Sequence, residues 1–351
     1  MKVTIIGANG AIGQNLTRLL LSGIIPDLTD LNLIVKSSKS RNQLEALAED
    51  SLTSLRKITV KVSQDHASLE GSDVVVFCAG VAASQNLSRD VVRQNNRQSL
   101  FEKNLQVVLE YLNSINNYCS PSTLMLMVSN PVGKLIQSIV KDIKCSVVGV
   151  GVANDTLRLR NHLYKRFGCK NAELTPFIDS VFVVGDHSNP DYLGVAFIEK
   201  NAKTEQIYTA LFDGIRKFPQ LSSYSHMKER QENILHDVWN GKMTFKNGIA
   251  ELSQLPPFYS TLLIHRSVHF AIKTYYSTSL AILDVLQHFS GIRHGYICAE
   301  TVAVDGQGHK GIVGVPVFFE NREVKVADNE NIWYPSFESE IIDKCIKMYS
   351  C

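Results

Sequence analysis

Three groups of residues in this sequence have types and spacings suited to chemistry. His187 stands in the polar turn Gly185-Asp186-His187-Ser188, between the apolar runs Val181–Val184 and Val195–Glu199. An imidazole titrates near neutral pH and can accept a proton and return it. Asp155 and Arg158 lie three residues apart, which puts both on one face of a helix. A guanidinium fork grips a carboxylate through two parallel hydrogen bonds, a geometry that a lysine ammonium cannot reproduce. At the amino-terminal end, Gly7-Ala-Asn-Gly10-Ala11-Ile12-Gly13 follows an apolar strand and opens a helix. Glycines there let the backbone turn tightly and approach a pyrophosphate, whose charge is favoured at a helix amino terminus. Singly, each group has a plain structural reading, since histidines in turns, Asp-x-x-Arg pairs and glycine-rich β–α turns are common. Jointly they offer a proton carrier, an anion clamp and a dinucleotide cradle.

The elements that must position these residues fall into two halves. Val3–Ile6, Leu31–Val35, Ile58–Val62, Val74–Cys78 and Leu124–Val128 read as strands, separated by helices over Ile12–Leu21, Gln43–Leu52 and Val91–Ser114. Continuously apolar strands alternating with helices indicate a parallel sheet covered on both faces, a doubly wound Rossmann-type α/β unit over residues 1–149. Residues 150–351 read as an α+β unit that carries the chemistry. Its expected elements are strands Val181–Val184 and Val195–Glu199 and helices Thr204–Lys217, Met227–Trp239 and Thr261–Gln287. A hairpin of Thr301–Val304 and Val313–Phe319 around Asp305–Lys310 and a closing helix Phe337–Met348 complete it.

Bulk properties narrow the function classes. With 351 residues, 44% hydrophobic and 20% charged, the chain is ordinary for a globular protein of two packed lobes. A net charge of +2 argues against a nucleic-acid or membrane-surface partner. No apolar run approaches the roughly 20 residues of a membrane span, and the opening strand pattern Met1-Lys-Val-Thr-Ile-Ile is not a secretory leader, so a cytoplasmic location is expected. The seven cysteines are scattered without zinc spacing or a disulfide framework and are expected to be reduced. His265 and His269 are spaced i, i+4, but no third ligand suggests itself, so no metal is expected.

The end of the second strand, Val35-Lys36-Ser37-Ser38-Lys39-Ser40-Arg41, lacks the acid that would hydrogen-bond an NAD ribose. Cations and hydroxyls in its place suit a 2′-phosphate, so Lys36, Ser37, Ser38, Lys39 and Arg41 favour NADP(H) over NAD(H). The alternative is that Lys39 and Arg41 are solvated loop charges.

Five ordered motifs resemble the lactate/malate dehydrogenase family along most of the chain: Phe77-Cys-Ala79-Gly80-Val81, Ser88-Arg89-Asp90 with Asn96, Val128-Ser-Asn130-Pro-Val, Asn154-Asp155-Thr-Leu-Arg158, and Gly185-Asp-His187-Ser. The resemblance implies that a hydride passes between a nicotinamide and a 2-oxo or 2-hydroxy acid, with His187 as acid/base, oriented by Asp155. It implies that Arg158 holds the substrate carboxylate and that Arg89, on a stretch able to close as a lid, polarises the carbonyl. Asn130 would donate to the substrate oxygen, and Asn96 would help position substrate and cofactor. Gly7, Gly10, Ala11, Ile12, Gly13, Ala79, Gly80, Val81 and Val128 would line the cofactor, and a homodimer or homotetramer is implied.

The pattern also departs from the family. The position where malate-specific members carry a second arginine is Ala83, and Ala82–Leu87 holds no cation, so a substrate other than oxaloacetate is expected. Its far wall is expected near Pro257–Thr261. The Asp155-to-His187 spacing is a few residues longer than usual, with the excess expected around Cys169–Glu173. Ser188-Asn-Pro-Asp-Tyr resembles the cytosolic and chloroplast malate dehydrogenase branch, and Ser37–Ser40 its NADP-linked members. The alternatives are a true malate dehydrogenase that draws a distal cation from another segment, and a cofactor-binding protein without turnover.

Overall fold

Short β-branched strands dominate the amino-terminal half of the computed structural model. It describes residues 1–51, 57–81, 96–165, 173–189, 192–212, 233–234, 236–238, 240–253, 258, 275–328 and 330–351, with backbone only at 96–99 and 336–338. Strands β1 (Lys2–Ile6), β2 (Asp30–Ile34), β3 (Thr59–Ser63), β4 (Val74–Phe77), β5 (Leu124–Met127) and β6 (Ser146–Gly149) alternate with helices α1 (Ala11–Leu21), α2 (Ser38–Asp50), α3 (Asn96–Tyr118) and α4 (Val132–Ile139). The six strands are parallel neighbours in the order β3-β2-β1-β4-β5-β6. This is the doubly wound arrangement read from the sequence. Its order reverses between β1 and β4, and ligands bind such sheets at that crevice, beyond the carboxyl ends of the strands.

Alternation along the strands builds a core on each face. Val74, Val76, Leu124 and Leu126 pack in one buried cluster, while Val75, Phe77, Met125 and Met127 pack in a second. Each such side chain, fully buried, contributes about 1.5–3 kcal/mol of hydrophobic stabilisation. These buried strands hold the loops at their carboxyl ends in fixed register.

The sheet does not stop at β6. Helix α5 (Gly151–Leu163) follows at once, and strands β7 (Val181–Gly185), β8 (Leu193–Ile198), β9 (Ile297–Val304), β10 (Lys310–Glu320), β11 (Glu323–Val326) and β12 (Ile332–Trp333) extend the sheet as β6-β9-β10-β7-β8-β12, with β11 on β10. The join is antiparallel and narrow, through Gly149 opposite Glu300. Helices α6 (Ala202–Phe212), α7 (Phe245–Leu252), α8 (Tyr276–Phe289) and α9 (Ser336–Met348) are the longer helices that follow, and single short turns of helix lie at His66–Leu69 and Thr175–Ile178. None of the described helices is long and apolar enough to cross a membrane.

Several elements differ from the sequence expectation. Strand β6 was not anticipated, because four residues between a cysteine and a helix carry too little periodicity to stand out. Strand β9 begins at Ile297, four residues before the expected Thr301, because Glu300 breaks an otherwise apolar run. Helix α3 continues to Tyr118 rather than Ser114. The expected helix over Met227–Trp239 lies largely outside the described residues, as do residues 261–274 of the one over Thr261–Gln287 and most of the expected insertion at Cys169–Glu173.

Candidate active site

The glycine turn after β1 is shaped by close approach. Gly7 has φ +83°, and a Cβ there would lie 2.7 Å from the backbone of Ala79. A Cβ on Gly13 would meet Gly7 O at 2.6 Å and Ala8 Cα at 2.7 Å, so α1 can start against the turn only without side chains at both positions. The cap residue of α1, Gly10, brings no side-chain hydrogen bond, and the first turn carries no acid. Ala11, Ile12 and Gly13 thus open a helix whose amino-terminal N–H groups suit an anion. Asn9 Nδ2 donates to Ser40 Oγ at 2.7 Å, tying this turn to the start of α2.

The basic segment after β2 is more fully partnered than its composition implies. Lys36 pairs with Glu110 of α3 at 2.8 Å, and this hydrogen bond raises the lysine pKa. Arg41 pairs with Glu45 one helical turn on at 2.7 Å. Ser37 caps α2 by accepting from Ser40 N, and Ser38 Oγ donates to Gln64 Oε1 at 3.4 Å. Lys39 is exposed at the head of the helix.

Across the sheet, Asn104 of α3 joins two cofactor-side segments. Its Oδ1 accepts from Val81 N and its Nδ2 donates to Asn130 O, both at 2.6 Å. A Cβ on Gly80 would meet that Oδ1 at 2.9 Å, so the loop Ala79–Val81 closes on Asn104 through glycine. Val128 is buried below it, and the Asn130 side chain is exposed. Cys78, beside this loop, has a thiol that burial pushes up to about 12, so it is not a thiolate near neutral pH.

His187 is held by a turn that glycine permits. Gly185 ends β7 at φ +106°, and a Cβ there would overlap Tyr192 O. The next residue, Asp186, is buried; its carboxylate accepts from Ser188 N at 2.8 Å and from Tyr349 Oη at 2.7 Å. Both bonds fix the turn on which His187 stands. His187 Nδ1 lies 2.7 Å from Asp155 Oδ2, and the Asp155 side chain is 1% exposed. With Nδ1–H donated to that carboxylate, the tautomer is set and Nε2 is the ring's proton-accepting atom.

Helix α5 brings Arg158 to the same place. Arg158 Nη1 meets Asp155 Oδ1 at 3.5 Å, one turn along the helix. Its Nε and Nη2 donate to Ser277 Oγ at 3.3 and 3.1 Å, and Asn154 Nδ2 donates to Thr278 Oγ1 at 3.1 Å, so α5 is pinned to the first turn of α8. At its own start, Gly151 N and Val152 N donate to Glu300 Oε2 and Oε1 at 3.0 and 2.9 Å. Burial pushes the Glu300 carboxyl up to about 7, against the opposing pull of His187.

His187, Asp155 and Arg158 thus come together as one buried ion-pair and hydrogen-bond network, while the glycine turn, Ala79–Val81, Val128 and Asn130 meet at the carboxyl ends of β1, β4 and β5. Arg89, Ala83, Pro257, Thr261, His265 and His269 lie outside the described residues, and Asn96 opens α3 with its backbone alone described. Among the described residues, no group of three or more potential metal ligands forms. Sequence reasoning missed Glu300, Asn104, Asp186, Ser277 and Tyr349. The signal for Glu300 was present, a lone acid inside Ile297-Cys-Ala-Glu-Thr-Val; the others lie among ordinary polar residues.

This chain resembles known proteins in sequence and in fold. The family model of the lactate/malate dehydrogenase NAD binding domain matches residues 1–149. An L-2-hydroxycarboxylate dehydrogenase (NAD(P)(+)) of Methanocaldococcus jannaschii is 31% identical over 198 residues, covering 54% of this chain and 58% of that enzyme. An L-lactate dehydrogenase of Clostridium perfringens is 24% identical over 334 residues, 92% of each chain. The hydroxycarboxylate dehydrogenase match, like that to an Aquifex aeolicus malate dehydrogenase, spans little more than half of the relative's length. In fold, a lactate dehydrogenase from Cryptosporidium parvum, solved with lactic acid and nicotinamide adenine dinucleotide, superimposes with a TM-score of 0.67 at 15% identity, over 99% of this chain and 95% of that one.

The turn carrying His187 supplies a direct test of its support. Tyr349→Phe removes the hydroxyl that meets Asp186 and should cost about 1–3 kcal/mol, the penalty for leaving a buried acceptor short of a donor. Thermal denaturation measures it, and an unchanged melting temperature would show that the bond contributes nothing.

Proposed function

We propose that the chain, which matches the lactate/malate dehydrogenase family by residues 1–149 in sequence and along its length in fold, is a nicotinamide-dependent oxidoreductase interconverting a 2-hydroxy acid and its 2-oxo acid. The observation that carries the reading is the 2.7 Å bond between His187 Nδ1 and a fully buried Asp155, with Arg158 on the same helix. The bound nicotinamide supplies the hydride acceptor or donor. His187 Nε2 takes the hydroxyl proton during oxidation and returns it during reduction, and Asp155 stabilises the imidazolium between the two. Arg158, preset by Ser277 and Asp155, receives the substrate carboxylate and so orients C2. Arg89 is proposed to polarise the carbonyl, with Asn130 donating to the same oxygen and Asn96 beside substrate and cofactor.

The cofactor site fits a dinucleotide, because Gly7 and Gly13 let the turn close against Ala79 and Ala8, which sets the amino terminus of α1 just beyond β1, where a pyrophosphate would be held. For the preference, we propose NADP(H). No carboxylate ends β2, and in this reading the exposed Ser37, Ser38 and Lys39 would meet a 2′-phosphate. Glu110 and Glu45 hold Lys36 and Arg41, so Lys39 bears most of this reading until a phosphate competes for its neighbours. For the substrate, we propose a 2-oxo acid other than oxaloacetate, since Ala83 offers no partner to a second carboxylate.

Three measurements test these statements. Steady-state rates with pyruvate, oxaloacetate and bulkier 2-oxo acids, run with both cofactors, should favour a monocarboxylate. A kcat/KM for oxaloacetate higher by orders of magnitude would make the chain a malate dehydrogenase instead, and cofactor binding without turnover on any acid would make it a binding protein. His187→Ala should lower kcat by about 10²–10⁴-fold with cofactor affinity retained; an unaltered kcat would remove His187 as the proton carrier. Lys39→Asp combined with Arg41→Ala should move the NADPH/NADH ratio of kcat/KM towards NADH, and an unchanged ratio returns both residues to solvated charge.

A further inference from the structure

Glu300 has a place in this site that the Asp–His–Arg constellation does not explain. A carboxylate in the middle of a buried strand is costly unless donors meet it, and Glu300 is 2% exposed. The fold clears space for it with glycine. Glu300 faces Gly149 of β6 and Gly314 of β10 as strand partners. A Cβ on Gly149 would lie 2.6 Å from Glu300 Oε2. One on Gly151 would overlap Glu300 Oε1 and stand 2.6 Å from both Cβ and Cγ of His187. The carboxylate and the root of the imidazole therefore approach the same point, and the missing side chain at residue 151 lets both reach it. Both Glu300 oxygens also accept backbone N–H groups from the first turn of α5, the helix that carries Asp155 and Arg158.

We propose that Glu300 is a positioning residue of the His187 site, a second buried carboxylate that fastens the amino end of α5 and, through its charge, strengthens the hold of His187 on its proton. The titratable groups that bear on it are His187 from the turn after β7, Asp155 from α5 and Cys298 on its own strand. Glycine is what β6 and β10 place opposite it. Burial favours the neutral carboxyl, the imidazolium favours the carboxylate, and the Asp155 charge opposes ionisation. Two groups coupled in this way titrate as a pair, and the effect of each on the other is reciprocal. Asp155 orients the imidazole by a direct bond to Nδ1, whereas Glu300 acts through space and through the helix it caps.

The kinetic consequence rests on the proposed proton-carrying role of His187; the titration itself does not. In substrate-free protein, the His187 imidazole followed by NMR should have its midpoint at lower pH in Glu300→Gln than in the parent, because a neighbouring negative charge that favours the imidazolium is gone. The limb of the kcat/KM profile for 2-oxo acid reduction that falls as pH rises should move to lower pH by the same amount. A purely structural role would lower stability and leave both midpoints in place. Conversely, the Glu300 carboxyl, followed by ¹³C NMR, should titrate higher in His187→Asn, which lacks the cation that pulls it down. This second arm also decides the matter if Glu300→Gln does not fold. Equal His187 midpoints in parent and Glu300→Gln, or an unmoved Glu300 midpoint in His187→Asn, overturn the proposal. Coupled titrations in a protein that turns over no 2-oxo acid would uphold it while refuting the proposed reaction.

Discussion

The structure around the candidate site depends on one buried charge. Asp155 has no solvent access, and a carboxylate taken out of water persists only where partners satisfy both oxygens. Oδ2 is met by His187 and Oδ1 by Arg158. Taking away one partner of such a buried pair typically costs about 3–5 kcal/mol, because the remaining charge is left uncompensated. That requirement explains why so much of the surrounding architecture restrains α5: Glu300 at its first turn, Thr278 at Asn154 and Ser277 at Arg158. The same requirement brings the turn after β7 onto the helix, although His187 and Asp155 are 32 residues apart in sequence. His187 and Arg158, fixed against each other, are what remains when the charge is satisfied.

How much of this could be read from the sequence follows from the range of each interaction. Asp155 and Arg158 are separated by one helical turn, and Gly7, Gly10 and Gly13 share one β–α turn, so local spacing expresses their relation. The parallel sheet was legible because its strands are continuously apolar and feed two separate clusters by simple alternation. Glu300 reaches α5 across 149 residues and Tyr349 reaches Asp186 across 163, distances over which residue types carry no visible register. Strand β9 shows the cost directly: the acid that matters to the site is the residue that disguised the strand. The basic segment after β2 shows the opposite failure, where composition suggested open cations and long-range pairing with Glu110 removed one of them.

The two halves of the chain contribute differently to what can be inferred. The nucleotide-binding half matches its family in sequence and builds a cradle that only glycine permits. The second half keeps the fold while its relatives bear the names of malate, lactate and 2-hydroxycarboxylate dehydrogenases. A scaffold shared by enzymes named for different acids determines the proton transfer and the grip on the common carboxylate, since these are needed by every 2-oxo acid. It cannot determine what lies beyond C2.

That separation has an energetic basis. Adding or removing a methylene in an apolar pocket alters discrimination by about 1–3 kcal/mol, and a site shaped for an apolar group rejects close analogues only modestly. A second carboxylate is another matter, because a charge moved into a site without a partner loses hydration that nothing replaces. Whether a cation stands opposite C3 therefore divides mono- from dicarboxylates far more sharply than pocket volume divides the monocarboxylates from one another. In the proposed reading Ala83 takes that position, and no cation occurs in the sequence Ala82–Leu87. On the proposed function, the reaction thus rests on buried groups that tolerate little change, and the choice of acid on a position where one side chain would change the sign of the preference.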